Sequence, residues 1–310
     1  MTAVASSPLA QRIQAGFVVE SLADTDEPYR RALRETLIVS GDTEFVSAAV
    51  LWTALDRAPS LNSQMALLAV IQDELGHAHI AYRLLADLGE DVEALVYGRS
   101  ARQFKNPYAF DFALRSWAEL AAVNGLFDRA GYTLLGDIHR HTSFGPWKRA
   151  LAKVAKEENF HIRHGETWIA RLAADPATRA EMQATVDWMF PAALEFFGLP
   201  DGLKHRQLQL EYRIKGSGND ALRQQWLAAA VPFLTSCGLR VPAHHDAGRG
   251  EWVLDFPFPC AFDVDARRYD FTQPVEWTAV LERWKARGPD CGWFVDVLTR
   301  GRGLFGVTRG

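Results

Sequence analysis

The sequence predicts an all-α protein built around a four-helix bundle, followed by additional helices and an irregular C-terminal extension. Long segments in the first two-thirds of the chain carry apolar residues at helical spacing. Helix start and stop signals separate these segments, and acidic and histidine residues recur within them at matching positions. From about residue 240 the chain becomes rich in proline, glycine and aromatic residues, which indicates irregular structure with a small hairpin.

Local signals place the ends of the helices. The first bundle helix stops at Pro59, Ser60 can cap the second, and Gly89 ends that second helix. A polar stretch over 90–108 precedes the third helix, and Pro146 is placed to open the fourth. The predicted helices cover residues 29–57, 61–88, 109–140, 146–173, 176–197, 219–237 and 274–287.

These elements divide the chain into four regions. We predict an N-terminal segment at 1–28, the bundle at 29–175, additional helices packed on the bundle at 176–240, and the C-terminal extension at 241–310. A chain of 310 residues is long enough for one large domain or two ordinary ones.

Composition excludes several classes of function. The net charge of −4 and the pI near 6.2 give no electrostatic reason to expect a nucleic-acid partner. No apolar run reaches the roughly 18 residues of a membrane span, and no secretory signal is visible. The three cysteines lie far apart without a CxxC, which argues against a disulfide framework or a thiolate metal site. We therefore expect a cytoplasmic location.

An internal repeat carries the chemistry. Only two of the nine histidines follow a glutamate by three residues: His77 follows Glu74, and His161 follows Glu158. Positions i and i+3 share one face of a helix, so each pair can reach one metal ion. Two further acids, Glu44 and Asp128, each lie 30 residues before the glutamate of a pair, so the second set of three is the first shifted by 84. A single ExxH is weak as a signal, but this constant offset at three positions is specific.

The predicted topology places each set at one level. The midpoint of each 30-residue interval falls in a turn, so Glu44 should face Glu74 and His77 across one hairpin, and Asp128 should face its own pair across the other. Apolar residues at helical spacing surround all six positions, including Tyr132 near Asp128, and four carboxylates inside a core need compensating cations.

Four carboxylates and two histidines are the ligand set of ferritin-like di-iron and di-manganese bundles. Hard oxygen and imidazole ligands suit iron, with manganese as a possible substitute. Glu74 and Glu158 are predicted to bridge the two metals, and the other four residues to be terminal ligands. No Ser-His-Asp or Cys-His arrangement is visible, so we expect no catalytic side chain beyond the metal ligands.

Other polar residues allow two interpretations. Asp73 and Glu157 precede the bridging acids, and either could hydrogen-bond a ligand histidine or simply face solvent. His79 and His164 lack the repeat relation and are interpreted as surface groups or neighbours of the ligands. The histidines at 244–245 are interpreted as part of a plain loop.

The sequence around these motifs resembles the catalytic subunits of bacterial phenylacetyl-CoA epoxidases, which are multicomponent di-iron oxygenases. The resemblance covers about residues 29–245. The matching stretches are RAPSL at 57–61, QDELGHA at 72–78, TSFGPWKRAL at 142–151, KEENFHIRHGE at 156–166 and NDALRQQW at 219–226.

The resemblance implies a reaction and partners. Reduced di-iron would bind dioxygen, and one oxygen atom would add across the aromatic ring of phenylacetyl-CoA. Electrons would come from an NADPH-dependent flavin and iron–sulfur reductase, and a ferritin-like structural subunit without metal ligands would pair with this chain in a hetero-oligomer, a homo-oligomer being the alternative. The resemblance also places Arg213 and Lys215 near the coenzyme A.

Three alternatives remain open from the residues alone. One is a ferritin-like di-iron oxygenase for a different aromatic substrate or acyl thioester. Another is an iron-storage or peroxide-scavenging protein, which would typically lack the long chain beyond 175. The third is a non-catalytic partner subunit, against which the complete ligand set argues.

Overall fold

The computed structural model describes residues 7–204 and 207–300, and the all-α prediction is confirmed. Outside the described residues lie 1–6, 205–206 and 301–310. They include the start of the predicted N-terminal segment and the end of the predicted C-terminal extension. The helices are α1 (Pro8–Gln14), α2 (Glu27–Trp52), α3 (Leu61–Asp87), α4 (Val92–Tyr97), α5 (Trp117–Ala122), α6 (Asp128–His141), α7 (Gly145–Ala174), α8 (Arg179–Glu195), α9 (Leu208–Glu211), α10 (Asn219–Ser236), α11 (Trp277–Ala286) and α12 (Cys291–Thr299).

Helices α2, α3, α5–α6 and α7 form the bundle, and local chemistry fixes their ends. The side chain of Asp26 accepts a hydrogen bond from the Tyr29 amide at the start of α2, and Ser60 accepts one from the Ser63 amide at the start of α3. Pro146 occupies the first turn of α7, where its missing N–H leaves no helical hydrogen bond unmade. The predicted ends at Ser60 and Pro146 therefore agree with the structure.

Two bundle-helix boundaries differ clearly from the prediction, and a short unpredicted helix lies between α3 and α5. Helix α2 ends at Trp52 rather than at 57, and Leu55–Arg57 is a separate 3-10 turn. The third bundle helix begins at Trp117 rather than at 109, because Ser116 accepts the Glu119 amide and caps the helix there. The stretch 90–108 also contains the short helix α4, which begins where Asp91 accepts the Ala94 amide.

The third bundle helix is interrupted by a π-helical segment at Val123–Phe127, which joins α5 directly to α6. A π segment adds a residue to a turn and so shifts the face that the next helical turns present. It packs tightly on α7, because a Cβ added at Gly165 would overlap the backbone of Asn124 and Gly125. Gly125 and Gly165 therefore permit the π segment, which leads into Asp128, to lie close to α7.

The chain beyond α10 is more ordered than the sequence predicts. Two antiparallel hairpins pair β1 (Ala243–Asp246) with β2 (Glu251–Leu254) and β3 (Cys260–Asp263) with β4 (Arg268–Pro274). Two helices come after them, α11 and α12, where the sequence predicted one. The hairpins are short and their outer faces polar, so period-2 patterning is weak in the sequence.

The core fills the space between these helices, with the largest fully buried side chains including Trp147, Trp226 and Tyr29. The predicted apolar neighbours of the metal ligands are buried, except that Tyr132 is 41% exposed. Within the described residues, no helix has the length and apolar character required to cross a lipid bilayer.

Candidate metal centre

The structure brings all six predicted ligands together in the bundle core, each at most 9% exposed. Ligand atoms of Glu44, Glu74, His77 and Glu158 lie within 4.8 Å of one another, and so do those of Glu74, Asp128 and His161. Glu74 belongs to both groups. This is the arrangement expected of two adjacent cation positions that share a bridging carboxylate.

Helices α2 and α3 form one helical hairpin, and α5–α6 and α7 form the other. The contacts between these two hairpins follow a local two-fold symmetry. His77 Nδ1 lies 3.3 Å from Glu158 Oε1, and His161 Nδ1 lies 3.1 Å from Glu74 Oε1. Each histidine therefore meets the glutamate of the opposite ExxH. Each histidine lies near acids of its own hairpin, as the spacing predicts, and also contacts a carboxylate of the other hairpin, which the spacing does not predict. Both candidate cation positions would consequently require both halves of the bundle.

The outer nitrogens of the histidines follow the same symmetry. His77 Nε2 lies 3.0 Å from Glu157 Oε2, and His161 Nε2 lies 3.3 Å from Asp73 Oδ2. The side chains of Glu157 and Asp73 are 25% and 32% exposed, so these acids lie at the edge of the core. A carboxylate on the outer nitrogen holds the ring orientation and leaves Nδ1 free to bind a cation.

The variants Glu157→Gln and Asp73→Asn should each weaken metal affinity by about 10–100-fold while leaving the fold intact, because the amide no longer polarises the imidazole. Metal competition titration against a chelator of known affinity measures the change. Lys153→Met provides a control, because Lys153 pairs with the other oxygen of Glu157 without touching a histidine. Equal affinities in parent and variants would show that these acids do not support the site.

The cluster places four buried carboxylates beside only two histidines. Burial and the neighbouring carboxylates raise the pKa of Glu44 and of Asp128 well above their usual range. Buried polar atoms that make no well-aligned hydrogen bond include Glu74 Oε1, His77 Nδ1, Asp128 Oδ2 and His161 Nδ1, although both nitrogens lie within 3.3 Å of a carboxylate oxygen. All four belong to the clustered groups. Two divalent cations would balance the charge of four carboxylates and would be coordinated by these atoms. The donor set therefore fits a pair of iron or manganese ions.

Some residues of the site were not predicted. Ser47 Oγ donates to Glu74 Oε2 at 2.8 Å, and the position 84 residues later is Gly131, so the two halves differ there. Asn124 in the π segment bonds His164, whose burial lowers its pKa to about 4 and thus favours the neutral ring. Applying the 84-residue offset to every residue near the ligands would have revealed the Ser47 asymmetry.

A cavity of about 560 Å³ opens onto the cluster. Four of the acids line its floor: Glu44, Glu74, Asp128 and Glu158. Aromatic and aliphatic side chains line the wall, including Phe104, Phe110, Phe127, Leu135, Trp147 and Phe197. Exposed cations, Arg102, Lys105 and Lys285, line the outer part. The cavity is therefore acidic at the floor, apolar along the wall and cationic at the mouth.

The two residues predicted to lie near coenzyme A have different environments. Lys215 lines the cavity, is 5% exposed and donates to Asn219 Oδ1 at 2.6 Å. Arg213 is not among the described residues that line the cavity. Its carbonyl oxygen accepts a hydrogen bond from the Ser143 amide in the turn before α7. Lys204 and Asn219 line the cavity and were not predicted, although Asn219 opens the NDALRQQW stretch.

Comparison with known proteins agrees with this geometry. The profile of the family described as "Phenylacetic acid catabolic protein" matches residues 2–257, which is most of the chain. The chain belongs to this family. Among phenylacetic acid catabolic proteins, one subunit of the 1,2-phenylacetyl-CoA epoxidase of Escherichia coli (strain K12) is 29% identical over 247 residues, which cover 78% of this chain and 80% of that protein. The resemblance identified from the sequence is thereby confirmed, and residues from 258 onward lie beyond the family match.

Proposed function

We propose that this chain is the catalytic subunit of a multicomponent di-iron oxygenase that epoxidises the aromatic ring of phenylacetyl-CoA or a related acyl-CoA. One observation supports the proposal above others: a complete set of four carboxylates and two histidines forms the floor of a cavity with an apolar wall and a cationic mouth. An acyl-CoA has the matching polarity, with an apolar acyl group at one end and phosphates at the other. The similarity to the epoxidase of Escherichia coli adds independent support.

In this proposal each residue of the cluster has a defined role. Glu44, Glu74, His77 and Glu158 would hold one iron, and Glu74, Asp128 and His161 would hold the other. The bound iron pair would supply the redox chemistry that activates dioxygen. One oxygen atom enters the ring and the other leaves as water, with two protons and with two electrons from a reductase.

The rest of the cavity binds and orients the substrate. The aromatic wall would hold the phenyl ring above the acidic floor and exclude water from the oxidising centre, which limits side reactions. The cations at the mouth would bind the phosphates of coenzyme A, and Lys215 would donate to an oxygen of the ligand deeper in the cavity. No protein nucleophile or general base is needed for this reaction.

The name of the relative implies further subunits. As the sequence resemblance implies, the proposal takes these to be a ferritin-like structural subunit and an NADPH-dependent flavin and iron–sulfur reductase. The cytoplasmic location stays a prediction. The same site also suits another aromatic acyl thioester. The intact ligand cluster argues against a non-catalytic partner subunit, and the cationic mouth is a feature that an iron-storage protein or a peroxide scavenger does not need.

The test is oxygen incorporation. Iron-loaded protein, phenylacetyl-CoA, a reductase with NADPH and ¹⁸O₂ should yield a coenzyme A ester carrying one ¹⁸O atom, measured by mass spectrometry. The His77→Ala variant should give none. Consumption of dioxygen or peroxide with no oxygenated ester, in the presence of a partner subunit, would instead identify a scavenger.

Acyl-CoA affinity should depend on the charge of Lys215. Burial lowers the pKa of this ammonium to about 8, so the cation is present below that pH and is lost as the pH rises through it. We therefore expect the Kd for phenylacetyl-CoA to rise several-fold between pH 7 and 9, whereas Lys215→Met should bind weakly at both pH values. Calorimetry measures both proteins, and parallel pH profiles would contradict the assignment.

A further inference from the structure

The C-terminal extension contributes directly to the cavity although it lies beyond the family match. Three residues of α11 line the cavity, Leu281, Trp284 and Lys285, and Arg287 comes immediately after the helix. The acids at the floor are at most 9% exposed, whereas Leu281 and Trp284 are half-buried and Lys285 is exposed. Helix α11 is therefore part of the outer wall, near the mouth.

Buried ion pairs hold this wall in place. Arg283, on α11, donates to both oxygens of Glu195 at 2.5 and 2.6 Å, and Glu195 is the last residue of α8. Arg287 binds Asp111, which is fully buried. Separating a buried ion pair leaves an uncompensated charge, which is energetically costly. These contacts therefore hold α11 against the bundle.

The orientation of Trp284 is fixed by the same acid. The indole Nε1 donates to Glu195 Oε2 at 3.0 Å, and Trp277 packs edge-on against the ring with centroids 6.2 Å apart. Glu195 itself lines the cavity. A pre-oriented indole beside an aliphatic side chain offers a rigid apolar surface at low entropic cost on binding.

We propose that α11 recognises the carrier portion of the acyl-CoA, with Leu281 and Trp284 packing on the methylene and gem-dimethyl groups of the pantetheine arm and Lys285 attracting the phosphates. The proposal rests on the proposed function and assigns a binding role to a segment outside the family match. Its basis is position: a ligand whose acyl group reaches the acidic floor must pass the half-buried mouth, where α11 forms one wall. Trp284 is thus a specificity-determining residue for the thioester carrier rather than for the ring.

Calorimetric titration of the purified full chain with coenzyme A and with pantetheine tests this. Trp284→Ala should raise the Kd for both ligands by roughly tenfold, which corresponds to about 1.4 kcal/mol. Lys285→Glu should raise the Kd for coenzyme A several-fold at low salt, less at high salt, and leave pantetheine unaffected. Trp284→Phe, which keeps a ring but loses the bond to Glu195, should fall between parent and Trp284→Ala.

Matched controls come from the same extension. Trp293→Ala removes a half-exposed indole on α12, and Arg249→Glu reverses an exposed charge in the turn between β1 and β2. Neither variant should change the Kd for coenzyme A or for pantetheine. If Trp284→Ala lowers the Tm sharply, Lys285→Glu decides alone, because Lys285 pairs only with exposed Glu282 in the described structure. Parent-like coenzyme A binding by Lys285→Glu and either Trp284 variant would overturn the role of α11 and leave the proposed function standing. A parent that binds iron but neither coenzyme A nor phenylacetyl-CoA would overturn the proposed function itself.

Discussion

The His77→Ala, His161→Ala double variant is expected to retain far less metal than the parent, which should bind about two ions per chain when produced with iron. Each cation position would lose its only nitrogen ligand, and the carboxylates that remain cannot reproduce the mixed ligand set. Elemental analysis of iron per chain measures the loss. Circular dichroism should show the same helical content in both proteins, since only two side chains change.

The control for this loss is the pair His244→Ala, His245→Ala, which removes two exposed histidines from β1. That variant should bind as much iron as the parent, which excludes incidental surface binding. A parent that takes up no metal after anaerobic reconstitution would contradict the metal centre and leave a non-catalytic structural subunit as the best account of the chain.

Gly165→Ala should destabilise the bundle by about 3 kcal/mol and reduce metal binding as well. The new Cβ would overlap the backbone of Asn124 and Gly125, so α7 and the π segment could no longer approach. The π segment runs directly into Asp128, and a shift there moves one of the ligands. Denaturant unfolding gives the change in free energy, and iron analysis of the folded fraction gives the effect on the site.

Gly76→Ala is the matched control, because a Cβ at Gly76 meets nothing within 4 Å even though this glycine lies between Glu74 and His77. Alanine in a helix is favoured over glycine by about 0.5–1 kcal/mol, so this variant should be as stable as the parent or slightly more so. Equal unfolding midpoints for parent and Gly165→Ala would show that the two elements are not in contact.

The cluster of four acids and two histidines was predictable because it repeats within regular helices. Helical spacing places Glu74 beside His77, turns at the midpoints bring Glu44 and Asp128 to the same level, and caps such as Ser60 are local signals. The pairing of each histidine with the opposite hairpin was not predictable, since the spacing within one hairpin says nothing about how two hairpins dock.

The cavity could not be predicted from the sequence for a related reason. Its exposed cations come from separate parts of the chain, at Arg102, Lys105 and Lys285, and only tertiary packing brings them and the buried Lys215 to one cavity. The role of the extension depends likewise on ion pairs such as Arg283 with Glu195, 88 residues apart in sequence. The π segment escaped prediction because its residues fit an α-helix equally well.

The crossed contacts of the two histidines bear on how such a bundle could originate. In a symmetric dimer, residue i of one copy meets residue j of the other and the reverse also holds. His77 with Glu158 and His161 with Glu74 obey this rule, as do His77 with Glu157 and His161 with Asp73. A single hairpin of this kind would hold no complete site, but two identical hairpins would. Duplication and fusion of one ancestral hairpin would therefore preserve the centre, and differences such as Ser47 against Gly131 could arise once the two copies no longer shared one sequence.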